Sequence, residues 1–287
     1  MSSQVLAPGE LARIERLALM PDRRVPASGA GTHRSNIHGR SLDVVEWRDY
    51  QPGDDPRTID VQAWARLDQV LVKLYEGDVD LRVQLIVDTS ASMAYGDKFR
   101  HGVRVAAAIG AAALLRNETV NLSSLTDVVP RRYRSRTGVV PFLDHLGSWQ
   151  PQGPTPLLER TRHLNTATRR AGLVIIVSDF LTADALNAID QLAARRSQVL
   201  AVLVAAHSDE DPETLGEVQL VDSESGDRVD VDLSPDVIEA FRARRVGVRK
   251  ALQDRLARHG SRLMVTWSDE DLLTQVLPSL TSAGLMR

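Results

Sequence analysis

Short apolar runs alternate with longer amphipathic stretches along most of the chain after residue 80. Stretches with apolar residues at helical spacing predict helices packed on a sheet. The longest stretch, residues 98–116, is dense in Ala, Ile, Leu and Val, which predicts a helix buried against the sheet. The apolar runs predict β-strands at residues 83–87, 119–125, 173–178, 199–205 and 262–266, with an edge strand at 128–133. This alternation predicts an α/β fold: an open, mostly parallel sheet with helices on both faces.

The first 80 residues have a different pattern. Apolar positions at helical spacing in residues 9–20 predict a short helix, and residues 42–50 and 70–75 predict strands on either side of a turn at 51–56. We therefore assign residues 1–80 to an N-terminal helix, a linker and a small β-rich module, and residues 81–287 to the α/β domain. Two alternating runs around a polar turn predict a β-hairpin inserted near 217–233.

Composition narrows the class of protein. Hydrophobic residues make up 43% of the chain and charged residues 25%, as in ordinary globular proteins, and the net charge of −3 favours neither nucleic acid nor an acidic membrane as partner. The absence of cysteine excludes disulfides and thiol chemistry. With no secretory signal and no apolar run approaching the roughly 18 residues of a membrane span, we expect a cytoplasmic protein without a transmembrane segment.

Oxygen-bearing side chains follow the first strand of the α/β domain. Asp88, Ser90 and Ser92 occupy alternate positions directly after the apolar run at 83–87. Ligands of open α/β sheets bind at the carboxyl ends of the strands, and carboxylate and hydroxyl oxygens suit Mg²⁺. Capping of the following helix is an equally good explanation of these three residues taken alone.

Two further positions extend this pattern. Asp179 follows the run at 173–178, and a second carboxylate at the same sheet edge would favour a divalent cation, because two close carboxylates repel each other. Thr155 lies in a Gly/Pro-rich loop between the two acids and could present a third hydroxyl. Helix capping is the alternative for both residues, and for Thr155 it is the better explanation on spacing alone.

Taken together, these residues resemble the metal ion-dependent adhesion site (MIDAS) of von Willebrand factor A domains. That site has an Asp-x-Ser-x-Ser motif after the first strand, a loop threonine, and an aspartate after a later strand. The resemblance implies a von Willebrand factor A-like, Rossmann-type sheet and a Mg²⁺ site, with Mn²⁺ as an alternative ion. It also implies that an acidic side chain of a partner fills the open coordination position. The implied ligands are Asp88, Ser90, Ser92, Thr155 and Asp179.

An upstream segment resembles a second pattern. Residues 39–60, continuing to Ala65 and Arg66, are similar to the signature of domain-of-unknown-function family fifty-eight, although Ser41 and Val61 depart from it. Members are often encoded beside MoxR-type AAA+ ATPases, which implies such an ATPase or its client protein as partner. The charged residues of the signature could form a structural network or a recognition surface: Glu46, Arg48, Asp54, Asp55, Arg57 and Asp60.

Two classes of function follow from these residues. The first is a metal-dependent protein-interaction module without catalytic residues, serving as an adaptor or accessory factor for the ATPase in chaperone-like assembly or maturation. The alternative is a Mg²⁺-dependent hydrolase or phosphatase that uses Asp88 and Asp179. The sequence lacks the second acid two residues after Asp88 that a haloacid-dehalogenase-like phosphatase would have, because Ser90 stands there.

Overall fold

The chain divides into two compact units. The larger unit comprises Met1–Arg24 and Leu81–Arg287, and the smaller unit comprises Val25–Asp80. The larger unit contains the N-terminal helix, which the sequence analysis grouped with the β-rich module. The computed structural model describes residues 5–17, 19, 44–51, 56, 59–75, 82–126, 129–154, 156–167, 172–194, 198–210, 215–283 and 286.

The smaller unit contains a two-stranded antiparallel sheet and a helix that the sequence analysis did not predict. Strand β1 (Val44–Asp49) pairs with β2 (Leu71–Tyr75), and helix α2 (Val61–Leu67) lies between them in the chain. Asp60 begins α2 by accepting hydrogen bonds from the backbone N–H groups of Gln62 and Ala63. Of the six charged signature residues, Asp60 thus has a structural role. The other five lie outside what the structure describes: the residues Asp54, Asp55 and Arg57, and the side chains of Glu46 and Arg48.

The larger unit is built on one six-stranded sheet, and this confirms the predicted mixed α/β class with a mostly parallel sheet. Five strands run parallel in the order β10, β7, β6, β3, β4, and β5 is antiparallel at the edge. The strands are β3 (Arg82–Val87), β4 (Thr119–Ser124), β5 (Arg131–Arg134), β6 (Leu173–Ser178), β7 (Gln198–Ala205) and β10 (Arg262–Trp267).

Helices cover both faces of this sheet and enclose two apolar clusters. On one face the buried residues come from α1 (Pro8–Ile14), α3 (Lys98–Leu115), α4 (Val139–Gly147) and α9 (Leu277–Ser282). On the other they come from α5 (Leu157–Ala167), α6 (Ala185–Ala193) and α8 (Pro235–Arg258). No helix in the described part of the chain combines the length and the apolar character needed to cross a membrane.

The segment predicted as a hairpin forms two antiparallel strands, β8 (Gly216–Val221) and β9 (Arg228–Leu233). It follows the short helix α7 (His207–Glu210) and leads into α8, so its ends connect the carboxyl end of β7 to the helix that returns across the sheet. The chain order reverses at β3: the chain passes to β4 and β5 on one side and then returns to β6 on the other. Such a reversal opens a crevice at the carboxyl ends of the two strands.

Candidate metal centre at the carboxyl ends of β3 and β6

The two predicted acids lie at this reversal point. Asp88 is the first residue after β3 and Asp179 the first after β6, and these strands are parallel neighbours. The backbone N–H of Asp88 donates to the carbonyl of Val177 over 2.8 Å, so the pairing of the strands extends to the acid itself. Both aspartates are buried. The prediction that adjacent parallel strands deliver two carboxylates to one edge is therefore met by the strand pairing.

Each oxygen of the Asp88 carboxylate accepts a hydrogen bond. Oδ1 accepts from the backbone N–H of Ser90 over 2.9 Å, and Oδ2 accepts from the hydroxyl of Ser178 over 2.5 Å. Ser178 Oγ also accepts from the backbone N–H of Phe180 over 3.0 Å. The sequence analysis did not assign Ser178 a role, although a serine at the end of an apolar strand, directly before Asp179, was a usable signal. These bonds fix the orientation of the Asp88 carboxylate.

The electrostatic environment of Asp88 opposes its negative charge. Burial, together with the charge of Asp179, raises the pKa of Asp88 from its ordinary 3.8 to about 6, although hydrogen bonds from Ser178 and Ser90 act in the other direction. Two carboxylates in one buried site repel each other, and a bound cation relieves that repulsion.

The hydroxyls of Ser90 and Ser92 face each other. Their Oγ atoms are 3.0 Å apart, with Ser90 buried and Ser92 half-buried. Ser90 is the residue before a 3₁₀ turn at Ala91–Asp97, but its side chain makes no capping hydrogen bond. Helix capping therefore does not account for the Ser90 side chain, whose hydroxyl lies beside that of Ser92 and interacts with the Asp88 carboxylate.

The fifth predicted ligand, Thr155, lies outside the described residues. The loop that precedes it is held against the Asp88 segment by two backbone hydrogen bonds. Gln152 N–H donates to the carbonyl of Thr89 over 2.7 Å, and Ala91 N–H donates to the carbonyl of Gly153 over 2.9 Å. Residues within three positions of Thr155 are thus bonded to the residues that flank Ser90.

A buried lysine that the sequence analysis did not consider lies beside Asp179. The Lys98 ammonium, 1% exposed, is 2.9 Å from Asp179 Oδ2 and 2.8 Å from Asp209 Oδ2. The other oxygen of Asp179, Oδ1, accepts from the backbone N–H of Leu181 over 3.1 Å. Lys98 therefore links the carboxyl ends of β6 and β7, because Asp209 belongs to the helix that follows β7.

A histidine on the same helix as Lys98 is engaged elsewhere. His101 Nε2 and Thr266 Oγ1 are 2.7 Å apart, and the Thr266 hydroxyl donates to Glu270 Oε2 over 2.7 Å. Burial lowers the pKa of His101, which favours the neutral imidazole. These bonds tie α3 to β10 and to the turn after it, so His101 is not poised as a base toward Asp88.

The chemistry of the donor set suits a hard divalent cation. Carboxylate and hydroxyl oxygens are the ligands that Mg²⁺ takes in proteins. Among the residues that the structure describes, no three His, Cys, Asp or Glu side chains form a metal-binding group by themselves. A metal site at this edge would therefore need oxygens other than those of acidic side chains, and the hydroxyls of Ser90 and Ser92 are candidates.

Comparisons with known proteins place the chain in a family without an assigned function. An uncharacterized protein of Mycobacterium tuberculosis, Rv1480, is 29% identical over 286 residues, covering 94% of this chain and 89% of the relative, and the protein Mb1516 of Mycobacterium bovis gives the same values.

Two crystal structures show a weak likeness. The conserved hypothetical protein BatB from Bacteroides thetaiotaomicron is 15% identical at a TM-score of 0.43, covering 71% of this chain and 98% of that one. An aerotolerance-related membrane protein from Bacteroides fragilis is 13% identical at a TM-score of 0.38, covering 62% and 99%. Both scores are too low to support an argument.

The family model for protein of unknown function DUF58 matches residues 46–251, and the chain therefore belongs to the DUF58 family.

Proposed function

We propose that the chain is a divalent-metal-dependent protein-binding module whose metal centre lies at the carboxyl ends of β3 and β6. The observation that supports it most is the convergence of Asp88, Ser90 and Asp179 at the point where the strand order reverses. Lys98 compensates the charge of Asp179, whereas burial and the charge of Asp179 leave the Asp88 carboxylate unfavourable, and a bound cation would stabilise it.

The fold of the module is best described, within this proposal, as von Willebrand factor A-like. Its parallel sheet is covered by helices on both faces, and the Asp-x-Ser-x-Ser motif follows a strand next to the strand reversal. The resemblance of the motif to a metal ion-dependent adhesion site supports Mg²⁺ as the ion, with Mn²⁺ as the alternative. The proposed ligands are Asp88, Ser90, Ser92, Thr155 and Asp179.

The ligand set explains why a protein would bind there. Three of the five proposed ligands, Ser90, Ser92 and Thr155, are neutral hydroxyls, which donate less electron density to a cation than carboxylates would. A bound Mg²⁺ would supply an electron-poor position that a carboxylate of another protein can occupy. The role of the chain's own residues is to hold the cation and to leave that position open, without a chemical step.

The partner in this proposal is a MoxR-type AAA+ ATPase or a client of that ATPase, and it provides an acidic side chain. The support is the family signature at residues 39–60 and the open position of the proposed metal centre, which a carboxylate can fill. The net charge of −3 agrees with a partner other than nucleic acid. The chain would then act as an adaptor or accessory factor in assembly or maturation of the client.

A Mg²⁺-dependent hydrolase is the alternative, and the geometry favours it less. Both oxygens of Asp88 accept hydrogen bonds, from Ser90 and from Ser178, which hold the carboxylate in place. His101 is bonded to Thr266. Phosphate or ester turnover that is lost in Asp88→Ala would reverse this order of preference.

Calorimetric titration of Mg²⁺ into the full chain tests the metal centre. We expect one ion per chain, and a Kd that rises at least about tenfold in Asp88→Ala and in Asp179→Ala, because each variant removes one charged ligand. Ser279→Ala is the matched control: this serine lies on α9 and donates to the carbonyl of Gln275. Unchanged Mg²⁺ affinity in both aspartate variants would rule out the site.

Surface plasmon resonance with a MoxR-type ATPase tests the partner. We expect binding in Mg²⁺ that is lost in chelator and weakened in Ser92→Ala and Thr155→Ala. Circular dichroism of each variant should match that of the original chain, because each substitution removes a single hydroxyl and Ser92 is only half-buried. Equal binding with Mg²⁺ and with chelator would contradict a metal-mediated contact and would favour the charged signature as the binding surface.

A further inference from the structure

Lys98 occupies a position that is unfavourable for a lysine by itself. It is the first residue of α3, where the partial positive charge of the helix end repels a cation, and its side chain is 1% exposed. Burial of an unpaired ammonium is strongly unfavourable. Its ion pairs with Asp179 and Asp209 offset both effects, so the three charges form one unit beside Asp88.

The charges of this cluster do not balance. Three carboxylates, those of Asp88, Asp179 and Asp209, stand against the single ammonium of Lys98, which leaves two negative charges when all four groups are ionised. Two charged neighbours that the structure describes do not alter this sum. Glu210 is paired with Arg249, and Asp97 is exposed and paired with Arg100.

We propose that Lys98 sets the net charge of the metal centre so that a divalent cation neutralises it, and that Lys98 is thereby the residue that determines the preferred valence of the ion. This inference rests on the proposed function and identifies a residue that the metal-ligand motif does not include. Lys98 occupies one oxygen of Asp179 and leaves Asp88 without a cationic partner of its own among the described contacts. The uncompensated charge therefore falls on the side of the site where Ser90 and Ser92 lie.

The net charge of the ion-loaded site affects how tightly an acidic partner binds. With Lys98 present, the site loaded with a divalent ion has no net charge, so an incoming carboxylate meets the cation without long-range repulsion. Without Lys98, the same ion leaves one negative charge, which opposes that carboxylate. Loss of Lys98 should thus strengthen the binding of the ion and weaken the binding of an acidic ligand, whereas loss of a merely structural ion pair would weaken both.

Ion affinities of charge variants test this directly. Mg²⁺ is titrated by calorimetry and Tb³⁺ by its luminescence, on the full chain, with the ions themselves as probes. In Lys98→Met we expect Mg²⁺ to bind about tenfold more tightly and Tb³⁺ to gain more than Mg²⁺, because one additional negative charge attracts a trivalent ion more strongly. Asp209→Asn should lower the Mg²⁺ affinity by about tenfold for the opposite reason.

The double variant Lys98→Met/Asp209→Asn removes one charge of each sign and restores the original sum. It should return both affinities to near the values of the original chain, and Lys98→Arg should leave them unchanged. This variant also keeps the test valid if Lys98→Met fails to fold, because it leaves no unpaired Asp209. Far-ultraviolet circular dichroism establishes which variants are folded.

The outcomes separate this inference from the proposed function. The inference is wrong if the original chain binds Mg²⁺ but Lys98→Met binds it no more tightly. It is also wrong if the Mg²⁺ affinity of the double variant does not return to that of the original chain. In either case Lys98 serves only in a structural ion pair. If the original chain binds neither ion, the metal centre itself is wrong and this inference falls with it.

Discussion

At the scale of single residues, Asp88 combines a fixed position with an unfavourable charge. Its two oxygens accept hydrogen bonds from Ser90 and Ser178, yet burial and the charge of Asp179 raise its pKa to about 6. Hydrogen bonds alone thus do not stabilise this carboxylate fully. A carboxylate that the folded protein holds in place, although burial disfavours its negative charge, is typical of a binding site, because a bound ligand can stabilise that charge.

The raised pKa of Asp88 predicts how stability depends on pH. The folded chain binds this proton more tightly than the unfolded chain, whose carboxyl has the ordinary pKa of 3.8. The contribution of Asp88 to the free energy of unfolding is therefore largest below pH 4 and falls as pH rises to about 6. The fall amounts to about 3 kcal/mol, at roughly 1.4 kcal/mol per pKa unit.

Urea unfolding of the original chain and of Asp88→Asn, both in chelator, measures this effect. The difference in free energy of unfolding between the two should shift by up to about 3 kcal/mol in favour of Asp88→Asn between pH 4 and pH 7, because the amide does not ionise. The comparison cancels the titration of groups that do not interact with Asp88. A difference that stays constant with pH would show that the folded site does not disfavour the Asp88 carboxylate.

At the scale of secondary structure elements, α3 positions the site. It begins at Lys98 and packs through small residues against the sheet and against α4. Gly110 is the point of closest approach: a Cβ there would lie 2.1 Å from Cζ of the buried Phe142 ring. A helix that approaches its neighbour this closely tolerates little added volume at the contact.

Two glycine substitutions in helices should have opposite effects. Gly110→Ala should lower the free energy of unfolding by about 1 to 3 kcal/mol or more, because the added methyl overlaps Phe142 and the buried ring must move. Gly247→Ala, in α8, should raise it by about 0.5 to 1 kcal/mol, because a Cβ there meets nothing within 4 Å and alanine favours the helix.

Chemical denaturation of both variants gives the two values under the same conditions. Gly247→Ala serves as the control for the general effect of replacing glycine by alanine within a helix. A Gly110→Ala variant as stable as Gly247→Ala would mean that α3 and α4 pack less closely than described.

At the scale of the whole molecule, all five proposed ligands belong to the larger unit and come from three connections that are distant in the chain. They follow β3, precede α5 and follow β6. An ion bound by such ligands links parts of the chain that separate on unfolding. Its binding free energy therefore adds to the stability of the folded state.

This linkage predicts that Mg²⁺ stabilises the folded chain. At a free ion concentration of about 100 times Kd, the free energy of unfolding should rise by about 2.7 kcal/mol, since the unfolded chain has no assembled site. Differential scanning calorimetry at several Mg²⁺ concentrations measures the effect as an increase in Tm. Asp88→Asn is the control, and an equal increase in that variant would assign the stabilisation to ions bound elsewhere.

The sequence by itself determined the strands of the large sheet, the long helix α3 and the residues that follow β3 and β6. Apolar runs and dense apolar stretches are properties of short segments of the chain, so they located the six strands of the large sheet and the long helix α3. The spacing of Asp88, Ser90 and Ser92 after β3, and of Asp179 after β6, was likewise visible in the sequence. Thr155 remains a prediction, because it lies outside the described residues.

Only the tertiary structure decided which charges meet. Lys98 and Asp179 are 81 positions apart in the chain, and nothing near either residue indicates the other. The same is true of α1: its sequence suggested a place in the N-terminal module, yet buried Ile14 packs in the core of the larger unit together with α3. Local pattern fixes which side chains an element presents, whereas the partners of a buried side chain depend on how distant elements pack.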